Sequence, residues 1–418
     1  MTFPEMMRLW LRIGCLSFGG PAGQIALMHR EVIEKRELVS EKEFLSALNF
    51  CMFIPGPEAQ QLAIYLGWRS HGMWGGLAAG LLFVLPGAVV MFALATLYAL
   101  FGHVPLVNAL FWGIKAAVLA IVLEALVRVA KRALKSHADY VVAALAFVAI
   151  FGFNVPFPLV VILAAASGFL MADEVPGKKV ALPDPRPVAR QAMIWTFVWL
   201  APLAVLNLAA ADGVFAGLGN FFARLAVVTF GGAYAMLSYM GQAVVDQHHW
   251  LTAGQMIDGL GLAETTPGPL ILVGQFVGFL AAAKAQGTIW AGLLGGLIFL
   301  WMSFAPCFLW VFVGAPYLAY IQSNPRLAKA LSRVTAAVVG VILNLSLWFG
   351  LHVIFGSVAR AQGPVPIWWP DFSTIDTPAL ILTILAALAL LHAKWGMTRT
   401  LAFAATLGII WKSVIPLL

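Results

Sequence analysis

Apolar runs of roughly 18–25 residues recur from one end of this chain to the other, each long enough to cross about 30 Å of hydrocarbon as a helix. In hydrocarbon every backbone group must be paired within the protein, so only helices or a closed barrel can span it. Barrel strands would show alternation over about ten residues, and the chain shows none. Composition agrees. Of 418 residues, 62% are hydrophobic and 10% charged, and mean hydropathy is +0.92. A soluble domain runs about 45–50% apolar and about 25% charged. These figures exclude a disordered chain, a collagen and a disulfide scaffold, and they argue against a soluble enzyme. The fold class expected is an all-α polytopic membrane protein.

The runs are organised as a repeat. The segment Ser17-Phe18-Gly19-Gly20 returns as Thr229-Phe230-Gly231-Gly232, and Pro55-Gly56-Pro57 returns as Pro267-Gly268-Pro269. Both pairs lie 212 residues apart, as do Arg12 and Arg224. Further on, WGGLAAGLLF from Trp74 matches WAGLLGGLIF from Trp290, and Pro86 matches Pro306. Ordered motifs at a slowly growing offset indicate internal duplication. Residues 173–190 hold four prolines with Lys178, Lys179, Arg186 and Arg190, a polar linker. The expected organisation is a first repeat over 1–172, the linker over 173–190, a connecting transmembrane helix over 191–211 and a second repeat over 212–418.

Charge sets the relative sense of the repeats. Net charge is +7, from 25 Lys and Arg against 18 Asp and Glu. The cations cluster in short loops, which reads as membrane topology rather than as affinity for nucleic acid. Residues 29–43 carry Arg30, Lys35, Arg36 and Lys42, while 241–255 carry no Lys or Arg. Arg128, Lys131, Arg132 and Lys135 face a neutral counterpart near 348–355. The neutral segment 101–107 corresponds to one holding Arg326, Lys329 and Arg333. Opposite bias in three loop pairs is the signature of inverted-topology repeats, with the linker and N-terminus in the cytoplasm. No cleaved signal peptide is expected, since residues 1–12 lack a basic region followed by an apolar core.

The PGP tripeptides break helices. Each proline lacks an N–H and disfavours helix in the residue before it. Residues 44–54 and 58–68 then read as half-helices that enter and return, the competing reading being a kinked spanning helix. Broken helices in a membrane persist only where the freed backbone is buried in protein or lines a wet cavity. Their N-termini offer unpaired N–H groups and partial positive charge, which suits an anion. The glycines of the FGG steps (Gly19, Gly20, Gly231, Gly232) and of PGP (Gly56, Gly268) let backbone approach closely, toward a ligand or toward a packed helix. Around them stand Ser17, Phe18, Pro55, Pro57, Gln60, Gln61, Thr229, Thr265 and Thr266, the expected substrate-binding set. Arg12 and Arg224 join it, because a guanidinium fork matches a tetrahedral oxyanion; the alternative is a snorkelling end residue. Glu58, Glu264, Lys115 and Glu124 are ionisable groups inside apolar runs, a costly placement, and are the proton-coupling candidates. Cys15, Cys51 and Cys307 read as packing residues. His248 and His249, with Glu264, leave an intramembrane enzyme as a remote alternative. No metal site or cofactor motif is expected.

The stretch Ser17–Pro21, the tract PGPEAQQLAIYLGWR from Pro55 to Arg69, the following His71-Gly72 and the second FGG and PGP together resemble the long-chain chromate transporters. The resemblance covers both halves. It implies a bacterial or archaeal inner-membrane carrier of two homologous domains that moves chromate outward. The implied residues are Phe18, Gly19, Gly20, Pro21, Pro55, Gly56, Pro57 and Glu58, together with the second-copy FGG (Phe230, Gly231, Gly232) and PGP (Pro267, Gly268, Pro269). The second copy departs, with Ala233 after FGG and Leu270 after PGP, so the copies cannot serve one site identically. The expected function is secondary active export of chromate, driven by membrane potential, which suffices alone and to which proton antiport would add, with no enzymatic activity. Sulfate is the alternative substrate, a tetrahedral dianion of similar shape. The expected partners are chromate, protons and the lipid bilayer, with a homodimer among the open assembly states.

Overall fold

The computed structural model describes residues 1–171, 184–211, 213–230, 232–318, 320, 324–360 and 367–414. They form helices α1 (Phe3–Leu16), α2 (Gly20–His29), α3 (Glu41–Phe53), α4 (Glu58–Phe101), α5 (Pro105–Ala133), α6 (His137–Phe153) and α7 (Phe157–Leu170) in the first half. Helix α8 (Pro185–Ala210) follows. The second half contains α9 (Val214–Val228), α10 (Ala233–Gln242), α11 (Ala253–Thr265), α12 (Val273–Gln286), α13 (Ile289–Gly314), α14 (Pro325–Ile354), α15 (Thr377–Leu391) and α16 (Met397–Val414). A two-stranded antiparallel ribbon, β1 (Val358–Arg360) and β2 (Trp368–Pro370), lies between α14 and α15 with Ala359 opposite Trp369. Among the described residues five helical segments are long and apolar enough to cross a membrane: Glu58–Phe101, Pro105–Ala133, Pro185–Ala210, Ile289–Tyr317 and Pro325–Ile354. The protein is a multi-pass, all-α membrane protein.

The second half follows the element order of the first. Each half opens with a helix that stops at the FGG step, and a short helix then runs into a single wider π-helical turn, Arg30–Glu34 or Ala243–Gln247. Each then has a 13-residue helix before PGP, α3 and α11. Thirteen residues rise about 20 Å, short of the hydrocarbon thickness. Helix α4 is two helices, 58–70 and 73–101, broken where His71 and Gly72 leave helical geometry. The backbone reverses there, because Gly67 packs on the carbonyl of Gly75 and Gly80 lies against Ile64. In the second half Gly287 (φ 68°) ends α12, and Gly278 packs on the carbonyl of Gly295 across the turn. Both hairpins close through small residues, as helix pairs in lipid commonly do.

The chain folds as two compact units, each drawing on both halves. The first comprises Met1–Thr96, Phe169–Met236 and Thr266–Lys329. In it α8 lies along α13, with Trp199 Nε1 donating to the Met302 carbonyl at 3.0 Å and the Trp195 ring stacked on Phe308. Helix α8 starts at Pro185 under an Asp184 cap rather than at 191, because proline suits the first helical turn. The rest of the linker lies largely outside the described residues. The second unit comprises Leu97–Gly168, Leu237–Thr265 and Ala330–Leu418. There α5 packs on α16, Gly113 meeting the Ala404 carbonyl, and on α11, Gly261 meeting Ile114. Arg333 is buried and donates to Asp139 at 2.6 Å. It is therefore a neutralised interior group rather than an exposed loop cation.

Candidate functional site

Both FGG steps end a helix in the same way. Ser17 caps α1 at φ −78°, ψ 66°, and Thr229 caps α9 at φ −76°, ψ 83°. Phe18 N–H bonds the Leu16 carbonyl at 3.0 Å, and Phe230 N–H bonds that of Val228 at 2.9 Å. The chain then turns through Gly19 (φ 88°) and Gly20 (φ 68°), and through Gly232 (φ 94°), a left-handed region that suits glycine. Gly231 lies outside the described residues.

The PGP steps form the complementary half. Helix α3 stops at Phe53, and Ile54 is extended (ψ 148°), as a residue before proline prefers. Gly56 (φ 118°) then points its amide at the carbonyl of Thr229, at 2.8 Å. In the other half Gly268 (φ 92°) donates to the carbonyl of Ser17, at 2.9 Å. Each half's PGP amide thus satisfies a carbonyl at the broken helix end of the other half. Such a buried carbonyl left bare costs about 1–3 kcal/mol. All four residues belong to the first unit.

Glutamines brace the two crossings differently. Gln24 Nε2 donates to the Gly268 carbonyl at 2.5 Å, Gln61 Nε2 to the Pro55 carbonyl at 2.6 Å, and Gln275 Nε2 to the Ala88 carbonyl at 2.9 Å. All three are buried, as is Gln60. Ser17 Oγ, Gln60 Oε1, Gln61 Oε1 and Gln275 Oε1 are buried with no hydrogen-bond partner among the described residues. Several polar groups with spare capacity in one apolar unit are what a polar ligand needs.

The decisive difference is a carboxylate. Glu58, first residue of α4, places its carboxylate beside the start of α10: a Cβ on Gly232 would lie 3.4 Å from Oε1. A negative group is favoured at a helix N-terminus. The residue aligned with Glu58 is Leu270, which is buried. Among the described residues no side chain caps the start of α2, and a Cβ added at Gly19 or Gly20 would meet nothing within 4 Å.

The remaining candidates are dispersed. Arg12 and Arg224 are exposed, about two turns before the breaks they precede. Arg12 lines a surface pocket of about 510 Å³ with Arg8, Arg36 and Glu5. Thr266 is buried in the first unit. Thr265, Glu264, Lys115 and Glu124 belong to the second unit, where Thr265 Oγ1 donates to the Leu262 carbonyl. Lys115 and Glu124 do not meet: nine residues separate them by about 13 Å of helix rise. Glu124 pairs with Arg128, and Lys115 pairs with Asp258 at 3.4 Å. His249 Nδ1 bonds the Val245 carbonyl, and His248 stacks on Trp250. Gln24 and Asp258 escaped the sequence reading. Each is a polar residue inside a short half-helix, the same signal that singled out Glu264.

Broken half-length helices, paired between the two halves of one chain and lined by buried amides, are the architecture of a helical membrane transporter. The chromate transporter family model matches residues 4–169 and 216–409, and the chain belongs to this family. It is 33% identical over 347 residues to the chromate transport protein of Pseudomonas aeruginosa, covering 82% of this chain and 80% of that one. It is 27% identical over 429 residues to the chromate transport protein of Cupriavidus metallidurans, covering 98% and 93%. An uncharacterized transporter of Methanocaldococcus jannaschii is 25% identical over 407 residues, covering 96% of this chain and 92% of that one. No solved structure matches the chain.

Proposed function

We propose that this chain exports chromate across the bacterial inner membrane as a secondary transporter, and that the oxyanion sits at the N-terminus of α2. The asymmetry of the two crossings carries this reading. Glu58 supplies an internal anion at the start of α10, whereas a Cβ added at Gly19 or Gly20 would meet no described atom within 4 Å, and the Ser17 hydroxyl just before them in the chain is buried with no partner among the described residues. Helix N–H groups and a hydroxyl are the donors a tetrahedral oxyanion requires. The substrate itself comes from the named relatives. Arg12 and Arg224, being exposed, concentrate the dianion at the surface rather than hold it at the breaks.

Energetics favour the outward direction. With the inside negative, each charge gains about 2.3 kcal/mol per 100 mV on leaving, so a dianion gains about 4.6 kcal/mol. Proton antiport adds to this, with Glu58 and Glu264 as carriers. The two repeats cross the membrane in opposite senses, with the N-terminus and the linker in the cytoplasm. Alternating access then moves one repeat against the other.

Titration calorimetry of the purified protein tests the site. Chromate should bind, Ser17→Ala should weaken it, and Glu58→Gln should open a second, weaker anion site. Binding that ignores Ser17→Ala would remove the α2 assignment, and full displacement by equimolar sulfate would reassign the substrate.

A further inference from the structure

The second unit holds a buried ionic cluster contributed by α11, the end of α4 and α5. Asp258 lies in the middle of α11 and is 3% exposed. Its Oδ2 accepts a hydrogen bond from the Tyr98 hydroxyl at 2.8 Å and lies 3.4 Å from Lys115 Nζ. Its Oδ1 is buried and has no hydrogen-bond partner among the described residues. One oxygen therefore takes both partners and the other takes none.

The ammonium is placed differently from the carboxylate. The Lys115 side chain is 24% exposed against 4% for Asp258, so the cation reaches outward while the anion stays inside. Gly254, one turn before Asp258, makes this possible: a Cβ there would lie 3.1 Å from Lys115 Nζ. Other cations on the neighbouring elements are engaged elsewhere. On α16, Lys412 stands over the Trp112 ring and Arg399 over that of Trp395. Glu264, on α11 itself, is a further carboxylate almost two turns beyond Asp258. Lys115 and Tyr98 are the groups that face Asp258.

A structural ion pair buried in a protein normally satisfies both carboxylate oxygens, because desolvation is otherwise not offset. A carboxylate with one bare oxygen is instead built for a proton. We propose that Asp258, gated by Lys115 and Tyr98, is the proton-binding group of this transporter. A proton from the aqueous phase bonds to Oδ1, and Tyr98 still donates to Oδ2. The attraction holding Lys115 is lost, and its ammonium is freed toward the accessible side. Release of the proton re-forms the pair. The pair then has two arrangements, which one proton switches. This rests on the proton-coupled reading proposed above and moves its coupling site from Glu58 and Glu264 to Asp258.

Infrared difference spectra of the purified protein, titrated with pH in the absence of substrate, test proton binding directly. A protonated-carboxyl band should appear on acidification, vanish in Asp258→Asn and shift to higher pH in Lys115→Gln, since removing the cation favours the neutral acid. A band that survives Asp258→Asn, or that Lys115→Gln leaves in place, overturns the proposal. Uptake of chromate by everted vesicles under an imposed pH gradient forms the second arm. Whatever uptake Asp258→Asn retains should no longer respond to the gradient, and a full response contradicts the proposal. If the parent protein shows the titrating band but no gradient-driven uptake, proton antiport fails while Asp258 stands as a proton site. A variant with both charges removed, Lys115→Met with Asp258→Leu, that regains the gradient response would reduce the cluster to a structural pair.

Discussion

The amide of Gly56 donates to the carbonyl of Thr229 across 173 positions of sequence, at 2.8 Å. Its mirror, Gly268 to Ser17, closes at 2.9 Å. Neither loop is self-sufficient: each supplies the donor that the other half's helix end lacks. The first unit is thus held by two exchanged hydrogen bonds between the halves of the chain rather than by two independent motifs. Gly56→Ala should destabilise the protein by about 1–2 kcal/mol, since a Cβ is disfavoured at positive φ. It would also meet Gln61 Nε2 and, at 3.1 Å, Cys307 Sγ. Thermal unfolding in detergent reads this, with Gly72→Ala, in open space, as the control for φ alone.

Ser17→Ala removes a buried hydroxyl that has no hydrogen-bond partner among the described residues. The melting temperature should hold or rise slightly, because an unsatisfied polar group is lost. The KM for chromate should rise. Equal loss of stability and transport would mean that the hydroxyl is structural.

Arg333 and Asp139 are both buried and pair at 2.6 Å. Asp139 also caps α6, accepting from Lys135 N, Ser136 N and Ser136 Oγ. Arg333→Met should therefore cost only about 1.5–3 kcal/mol, one charge-assisted hydrogen bond, Asp139→Leu should cost more because the cap goes too, and the double variant should lose less than the sum. Urea melts of the three variants give the coupling. Additive losses would show that the pair contributes nothing as a pair.

Glu31 lies in the charged loop outside the spanning segments, buried between Lys35 (2.7 Å) and Arg36 (2.6 Å). The hydrogen bond from Lys35, followed by that from Arg36, lowers its pKa from 4.5 to about 2. A depressed carboxylate stabilises the fold above its unfolded pKa and loses that contribution as pH falls through the folded value. Stability should therefore drop between pH 4.5 and about 2. Glu31→Gln should be less stable than the parent at neutral pH and equal to it at the acid end of that window. Thermal melts across the range check the sign.

What could be read in the sequence follows from which signals are local. PGP and FGG are local breakers, so helix ends at Phe53, Leu16 and Val228 were foreseeable. The long apolar helices were equally plain. The hairpin at His71-Gly72 was not, because its closure depends on Gly67 meeting Gly75, which no local pattern announces. Pairing was the least legible. Lys115 and Glu124 share a helix, yet Lys115 reaches Asp258, 143 residues on, because packing of α11 on α5 decides the partner. The departure of Leu270 from Glu58 was visible in the sequence. Its meaning, one helix start occupied by a carboxylate and one open, needed the geometry.

Uptake of labelled chromate into everted membrane vesicles from cells expressing this chain tests the central claim most directly. Accumulation that requires the protein, collapses with an uncoupler and yields only partly to excess sulfate is the expected result. No protein-dependent accumulation, or complete replacement of chromate by sulfate, would contradict it.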